Sequence, residues 1–335
     1  MATQNEAKFA EAWRALDEDS AKYGWNTLPI ATQSNLLLCA GRHHPLNQES
    51  MLIGFTVAAL PKQSSLQQCK GFTLEVVELP FQGERYFCLA ITRQPSASLD
   101  IFSAMLDDIV MVLERLGRTE AEHAAAVIER IRGWQRFMSR EEDGILSAEA
   151  ELGLLGELQV LRSLITAGIS AAEAVDWWQG PADSLHDFIC PLGDIEVKSS
   201  TKSGSFAANV APLDQLDESL VQSLYLAAVQ FSLTASGLRL PQHIDSIRLL
   251  LDADQEVVAA LEGKLLAAGY HQALALRYKR QFSYLLTSFY EVNGEFPRLT
   301  KGSVRAGVID AQYRIEIDST KFHALPLDEI LQRIG

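Results

Sequence analysis

Carboxylates and an ammonium crowd into one short apolar run: Asp187-Phe-Ile-Cys-Pro-Leu-Gly-Asp-Ile-Glu196-Val-Lys198. Strand periodicity puts Glu196 and Lys198 on one face and Ile195 and Val197 on the other. Two charges on an otherwise apolar strand need a reason, because burying an uncompensated charge is costly. The chemistry that suits them is phosphodiester hydrolysis, in which carboxylates hold one or two divalent ions that neutralise the phosphoryl group and activate a water. Magnesium takes oxygen ligands and keeps several waters, so two or three carboxylates suffice. Asp187 and Glu196 supply two, and Glu157 is the candidate third. Lys198, as a compact point charge, suits a position beside the scissile phosphate or the attacking water.

These residues have to be brought together by the elements around them. A tight turn over Pro191 to Asp194 folds Asp187 back alongside Glu196 and Lys198. Glu157 sits midway along a helix that opens at Ser147, a serine at an N-cap position with acidic residues in the first turns. Strands are expected from Ala174 to Trp178, Asp187 to Cys190 and Ile195 to Ser200, then a short helix from Leu213 to Leu220 and a strand from Ser223 to Leu233. The order is α-β-β-β-α-β. Further on, the pattern gives a helix from Asp254 to Ala268, strand-like runs around Gln281 to Val292 and Val308 to Ile317, and a last helix from Leu325 to Ile334.

Ahead of this lies a helix near Glu6 to Ala21, then short strand-like runs at Leu36 to Ala40, Met51 to Ala58, Phe72 to Leu79 and Arg85 to Thr92. Two amphipathic helices follow, Leu99 to Leu116 and Glu120 to Arg140. The expected organisation is a β-rich unit over 1–95, linking helices over 96–145, and a domain carrying the chemistry over 146–335.

The chain resembles the PD-(D/E)XK nuclease superfamily in this element order and in the placing of Asp187, Glu196 with Lys198, and Glu157. The stretches Gly153-Leu-Leu-Gly-Glu-Leu, Trp178-Gln-Gly180, His186-Asp-Phe188 and Glu196-Val-Lys-Ser-Ser200 narrow it to the DUF4420 type of bacterial restriction and defence gene clusters. The resemblance implies a restriction-endonuclease-like α+β core with a mixed sheet. It also implies a Mg2+-dependent DNA endonuclease, with Mn2+ as a substitute and Asp187, Glu196 and Glu157 as metal ligands. Partners would include a methyltransferase or an ATPase/helicase, and a homodimer is compatible with the type. The alternatives are a catalytically silent DNA-binding or assembly subunit and an RNA-directed nuclease. The superfamily's proline before the aspartate is His186 here, for which a structural hydrogen bond is expected. Asp194 reads as a turn residue, and Trp177 and Trp178 as packing aromatics.

The formal charge of the 335 residues is −14. A protein that binds nucleic acid by itself usually presents net positive surface, so DNA contact has to be local or borrowed from a partner. Ser200 and Lys202 continue the Lys198 face. Arg277, Lys279, Arg280, Arg298, Lys301 and Arg305 form a basic excess against Glu291 and Glu295, and Arg130, Arg132, Arg136 and Arg140 form a second cluster. Either group could contact phosphates. Cys39, Cys69, Cys88 and Cys190 form no Cys-x-x-Cys pair and read as buried thiols. No apolar run reaches membrane-spanning length and no secretory pattern opens the chain, so a cytoplasmic protein is expected. Nucleotide-binding loops and other hydrolase motifs do not occur.

Overall fold

Two units divide the chain, Met1–Glu142 and Asp143–Gly335. The computed structural model describes residues 4–17, 24–30, 36–55, 60, 70–81, 83–114, 119–139, 145–180, 184–202, 204–251, 254–317 and 321–335.

In the first unit, helix α1 (Gln4–Asp17) precedes strands β1 (Gly24–Pro29), β2 (Leu38–His44), β3 (Gln48–Phe55), β4 (Phe72–Phe81) and β5 (Glu84–Arg93), followed by helices α2 (Leu99–Leu113) and α3 (Glu120–Met138). The strands form one antiparallel sheet in the order β1-β2-β3-β5-β4. β3 and β5 are central and bury Met51, Leu52, Ile53, Leu89, Ala90 and Ile91 completely. Thr119 caps α3 with a reciprocal capping box to Glu122. The four expected strands are present, and β1 is an addition. Part of the second arginine cluster is already paired: Arg130 bonds the buried Asp108, which also accepts from Trp134 Nε1 at 2.7 Å, and Arg132 and Arg136 both face Glu129. Arg140 and Cys69 lie outside the described residues.

The second unit opens with α4 (Ala148–Thr166) and α5 (Ala171–Trp177). Strands β6 (Phe188–Cys190), β7 (Gly193–Ser200) and β8 (Phe206–Val210) follow, then two short 3-10 turns (Leu213–Leu216, Glu218–Leu220) and the long strand β9 (Leu224–Leu238). The chain ends in α6 (Leu240–Arg248), α7 (Gln255–Ala268), β10 (Phe282–Glu291), β11 (Tyr313–Ile317) and α8 (Leu327–Ile334). The main sheet has the order β10-β9-β7-β6, with β7 parallel to β9 and the other pairings antiparallel. This mixed sheet, with α4 packed on it, is the restriction-endonuclease-like α+β arrangement that the sequence implies.

Several elements differ from expectation. Residues 174–178 are not a strand: Ser170 accepts from Glu173 N and starts a helix that runs to Trp177, because a side-chain cap outweighs the β-preference of Val175 and the tryptophans. The third strand is instead β8, whose Phe-Ala-Ala-Asn-Val sequence carries little strand signal. It pairs only with β11, and tertiary packing forms it. The expected helix over Leu213 to Leu220 is the pair of 3-10 turns.

β8 and β11 lie over one face of the main sheet. Phe206, Val210, Leu216 and Ile315 pack with Leu224, Leu226 and Ala228 of β9 in a single core cluster. In the parallel register Glu196 lies beside Leu226 and Lys198 beside Ala228, so both charged residues point to the β8/β11 side. The other face belongs to α4. A Cβ on Gly156 would stand 1.9 Å from Ser199 Oγ and 3.3 Å from Val197 Cγ1. Only glycine lets the helix approach β7 this closely, which explains why a glycine immediately precedes Glu157.

Candidate active site at the end of the edge strand

β6 is three residues long and sits at the sheet edge. It is joined to β7 by the two-residue turn Pro191-Leu192, with Cys190 opposite Gly193. Beyond Ile195, then, β7 has no strand neighbour on that side. Asp187, just ahead of β6, uses its carboxylate to accept from Val197 N at 2.7 Å, satisfying an amide that the short strand leaves open. The side chain is thereby fixed in the notch beside β7.

Glu157 approaches from α4. Trp178 Nε1 donates to its Oε2 at 2.8 Å, and Trp178 is fully buried. The tryptophan is held in turn. Its backbone bridges Phe188, Gln179 N donates to Asp187 O at 2.8 Å, and Lys264 of α7 donates to the carbonyls of Val175 (2.7 Å), Asp176 (3.1 Å) and Trp178. Residues 178 and 179 therefore touch both Glu157 and Asp187.

Glu196 is 1% exposed. Its Oε1 lies 2.8 Å from Lys198 Nζ, whereas Oε2 is buried and has no hydrogen-bond partner. Lys198 Nζ also donates to Gln215 Oε1 at 2.9 Å, and the same oxygen accepts from Ala211 N. The 3-10 turn after β8 thus fixes the lysine's reach.

The three carboxylates act on one another. Burial, and next the charge of Asp187, push Glu157 up to about 8. Burial raises Asp187 as well, opposed by the Val197 amide and by Lys198. Glu196 is held well above the usual carboxylate range, by burial and by Asp187, with Lys198 opposing. Buried carboxylates that act on one another resist ionising together, and Lys198 offsets this only in part. Among the described residues no three His, Cys, Asp or Glu side chains stand as a ready-made metal cluster. The donor set nonetheless fits a hard divalent ion in kind: all ligand atoms are oxygens, and Glu196 Oε2 is a buried acceptor with nothing to bind.

Other sequence candidates are placed differently. His186 Nδ1 lies 2.7 Å from Asp194 Oδ2 in a buried pair, a structural contact below the notch. Ser200 Oγ accepts from Lys202 N at 3.2 Å in a local turn. Arg280 pairs with Glu151, Arg298 with Glu218 and Lys301 with Asp214. Lys202, Lys279 and Arg305 are exposed, and among the described residues no ion pair engages their side chains. The same holds for Arg314 on β11, which the sequence reading passed over. Trp178 and Gln215 were also missed as site residues. Trp178 belongs to the quoted Trp-Gln-Gly motif, which was a usable signal, whereas Gln215 had none.

A family model described as "Putative PD-(D/E)XK family member, (DUF4420)" matches residues 9–318. The chain belongs to the DUF4420 family. No curated protein and no solved structure matches it. The matched span takes in Glu157, Asp187, Glu196 and Lys198, together with Trp178 and Gln215.

Proposed function

We propose that this DUF4420 protein is a Mg2+-dependent DNA endonuclease that works as the nuclease part of a restriction-modification or phage-defence system. The observation that carries the reading is that the buried Glu157 and Glu196, on a helix and a strand, are both raised in pKa by the charge of Asp187 at the strand end, with Lys198 beside Glu196.

Glu157, Asp187 and Glu196 would hold the ion. The chemistry that bound Mg2+, or Mn2+ in its place, supplies is neutralisation of the phosphoryl charge and a bound water of lowered pKa. The chain's own part is positional. Trp178 orients Glu157, the Val197 amide orients Asp187, and Gln215 holds the Lys198 ammonium where it faces a phosphate oxygen or the attacking water. Lys202, Arg305 and Arg314 are the unpaired cations suited to flanking phosphates, and Lys279 is a further one. Unit two holds fifteen Lys and Arg against twenty-five Asp and Glu. Nonspecific DNA affinity is accordingly weak, and a DNA-bound partner such as a methyltransferase or an ATPase/helicase would deliver the substrate.

A second reading is favoured by one observation: Lys198 already neutralises Glu196, as in a silent assembly subunit whose charges are a buried ion pair. One assay separates the two. Supercoiled plasmid is incubated with Mg2+ or Mn2+ and wild type, Lys198→Ala or Asp187→Ala. Nicking or linearisation by wild type alone supports the nuclease. Equal cutting by all three removes these residues from catalysis. Inactivity of all three, with plasmid still bound, supports the silent subunit.

A further inference from the structure

A cleft of about 610 Å³ opens in the second unit away from the carboxylates, between the C-terminal half of α4, the start of α6, and the ends of β9 and β10. Arg162, Ser163, Ser236, His243, Phe282 and Tyr284 are among its lining residues, and no Asp or Glu is. That is an unusual lining for a unit with twenty-five acidic residues. Arg162 is exposed, and among the described residues no ion pair engages it. Several cations of this unit are already matched with acids, Arg248, Arg280, Arg298 and Arg333 among them. His243 is half-buried, with its ring against the backbone of Phe282 and Leu238. Burial keeps that ring below the usual histidine range, so Arg162 carries the one permanent charge of the lining.

Ser236 is exposed on β9, and among the described residues no hydrogen bond engages its hydroxyl. Ser283 Oγ shares a 2.7 Å hydrogen bond with Thr234. Tyr284 is 42% exposed, whereas Phe282 is buried at 3%, and both rings pack edge-on against Phe231. Gly237 makes the floor possible, since a Cβ there would meet the backbone of Phe282 at 2.6 Å. The volume falls in the range of small-molecule sites, which combine apolar walls with a few convergent polar groups. A planar guanidinium among hydroxyls recognises a tetrahedral oxyanion, and an exposed tyrosine face takes a flat ring.

We propose that this cleft binds a phosphate monoester carried on a flat ring: a mononucleotide, whether free or as the 5′-phosphorylated end of a strand. The phosphate meets Arg162 and the Ser236 hydroxyl, and the base lies against Tyr284. This site is separate from the carboxylate notch and does not depend on the nuclease reading.

Isothermal titration of the full chain with deoxyadenosine monophosphate, deoxyadenosine, inorganic phosphate and a 5′-phosphorylated or unphosphorylated oligonucleotide tests it. Deoxyadenosine monophosphate should bind at least tenfold more tightly than deoxyadenosine or phosphate. Arg162→Gln should weaken it about tenfold, or about 1.4 kcal/mol, and Ser236→Glu should abolish it. Both positions are exposed, and circular dichroism checks that both variants fold. Glu196→Gln, in the notch, should leave binding unchanged. Preference for the phosphorylated oligonucleotide over the free nucleotide assigns the site to strand ends, and the reverse assigns it to free nucleotide. No binding by any phosphate probe, binding indifferent to Arg162→Gln, or binding lost in Glu196→Gln overturns the proposal.

Discussion

Trp178 Nε1 donates to Glu157 Oε2 at 2.8 Å, from a ring with no exposed surface. Partners that orient metal-binding side chains typically matter by 10–100-fold in metal affinity or activity. Trp178→Phe keeps the aromatic packing and removes only the donor. Cleavage at limiting Mg2+ should fall by about 10–100-fold, with part of the loss recovered at high Mg2+ or with Mn2+. A uniform loss that no metal concentration restores would mean that Trp178 acts through the fold alone.

Gly156 allows α4 to lie against β7, and Ser199 Oγ on the facing strand is buried without a partner. Alanine at 156 gains helix propensity of about 1 kcal/mol, but its Cβ meets Ser199 Oγ at 1.9 Å, and overpacking costs about 1–3 kcal/mol. Gly156→Ala should therefore be neutral to destabilising by about 2 kcal/mol, and Gly156→Ala with Ser199→Ala should recover most of that. Denaturant midpoints of the four-member cycle measure the coupling. Additive effects would show that the helix simply shifts away.

Stability should also depend on pH through the carboxylates. Glu157 and Glu196 are raised above their unfolded values by burial and by the charge of Asp187. The folded chain therefore holds protons that the unfolded chain releases, and their contribution to stability is full below the unfolded carboxylate range. It is lost as pH rises towards about 8, where Glu157 titrates. Metal-free protein should melt lower at pH 8 than at pH 6, and Glu157→Gln should flatten that difference. Mg2+ should raise the melting temperature more at pH 8. A metal-free melting curve that does not depend on pH in wild type and variant alike would rule out this coupling.

Legibility in the sequence followed the range of the forces involved. The hairpin holding Asp187 opposite the Glu196 strand was readable because a two-residue turn and period-two alternation are local. So was the helix start at Ser147, where a side-chain cap sits beside the amides it serves. The α5 helix was misread because one serine hydroxyl, Ser170, outweighs a β-prone composition. β8 was invisible because its stability comes from β11, about a hundred residues away, and from the Leu224 and Leu226 face. Gln215 could not be found for the same reason: it reaches Lys198 only after β8 has turned the chain back across the sheet. The basic stretch between Arg277 and Arg305 gave a correct count of charges but not which of them are free, since Glu151, Glu218 and Asp214 come from distant segments.

That division of the cations gives the last prediction. Arg280 Nε lies 2.5 Å from Glu151 Oε2, and Glu151 is completely buried. Removing the arginine leaves a buried carboxylate whose pKa burial already raises. Its protonation relieves part of the penalty, as does the partial exposure of Arg280. Arg280→Gln should thus destabilise the fold by about 1–3 kcal/mol, with little effect on the salt dependence of DNA binding. Lys202→Gln should do the opposite, because an exposed unpaired lysine contributes almost nothing to stability. If it contacts a phosphate, its loss reduces the slope of log affinity against log salt by about 0.9. Fluorescence anisotropy with a labelled duplex at several salt concentrations, alongside thermal melts of both variants, resolves the two effects. A slope that changes with Arg280→Gln and stays constant with Lys202→Gln would reverse the assignment, and would place the DNA on the β10 side of the sheet instead of alongside β7.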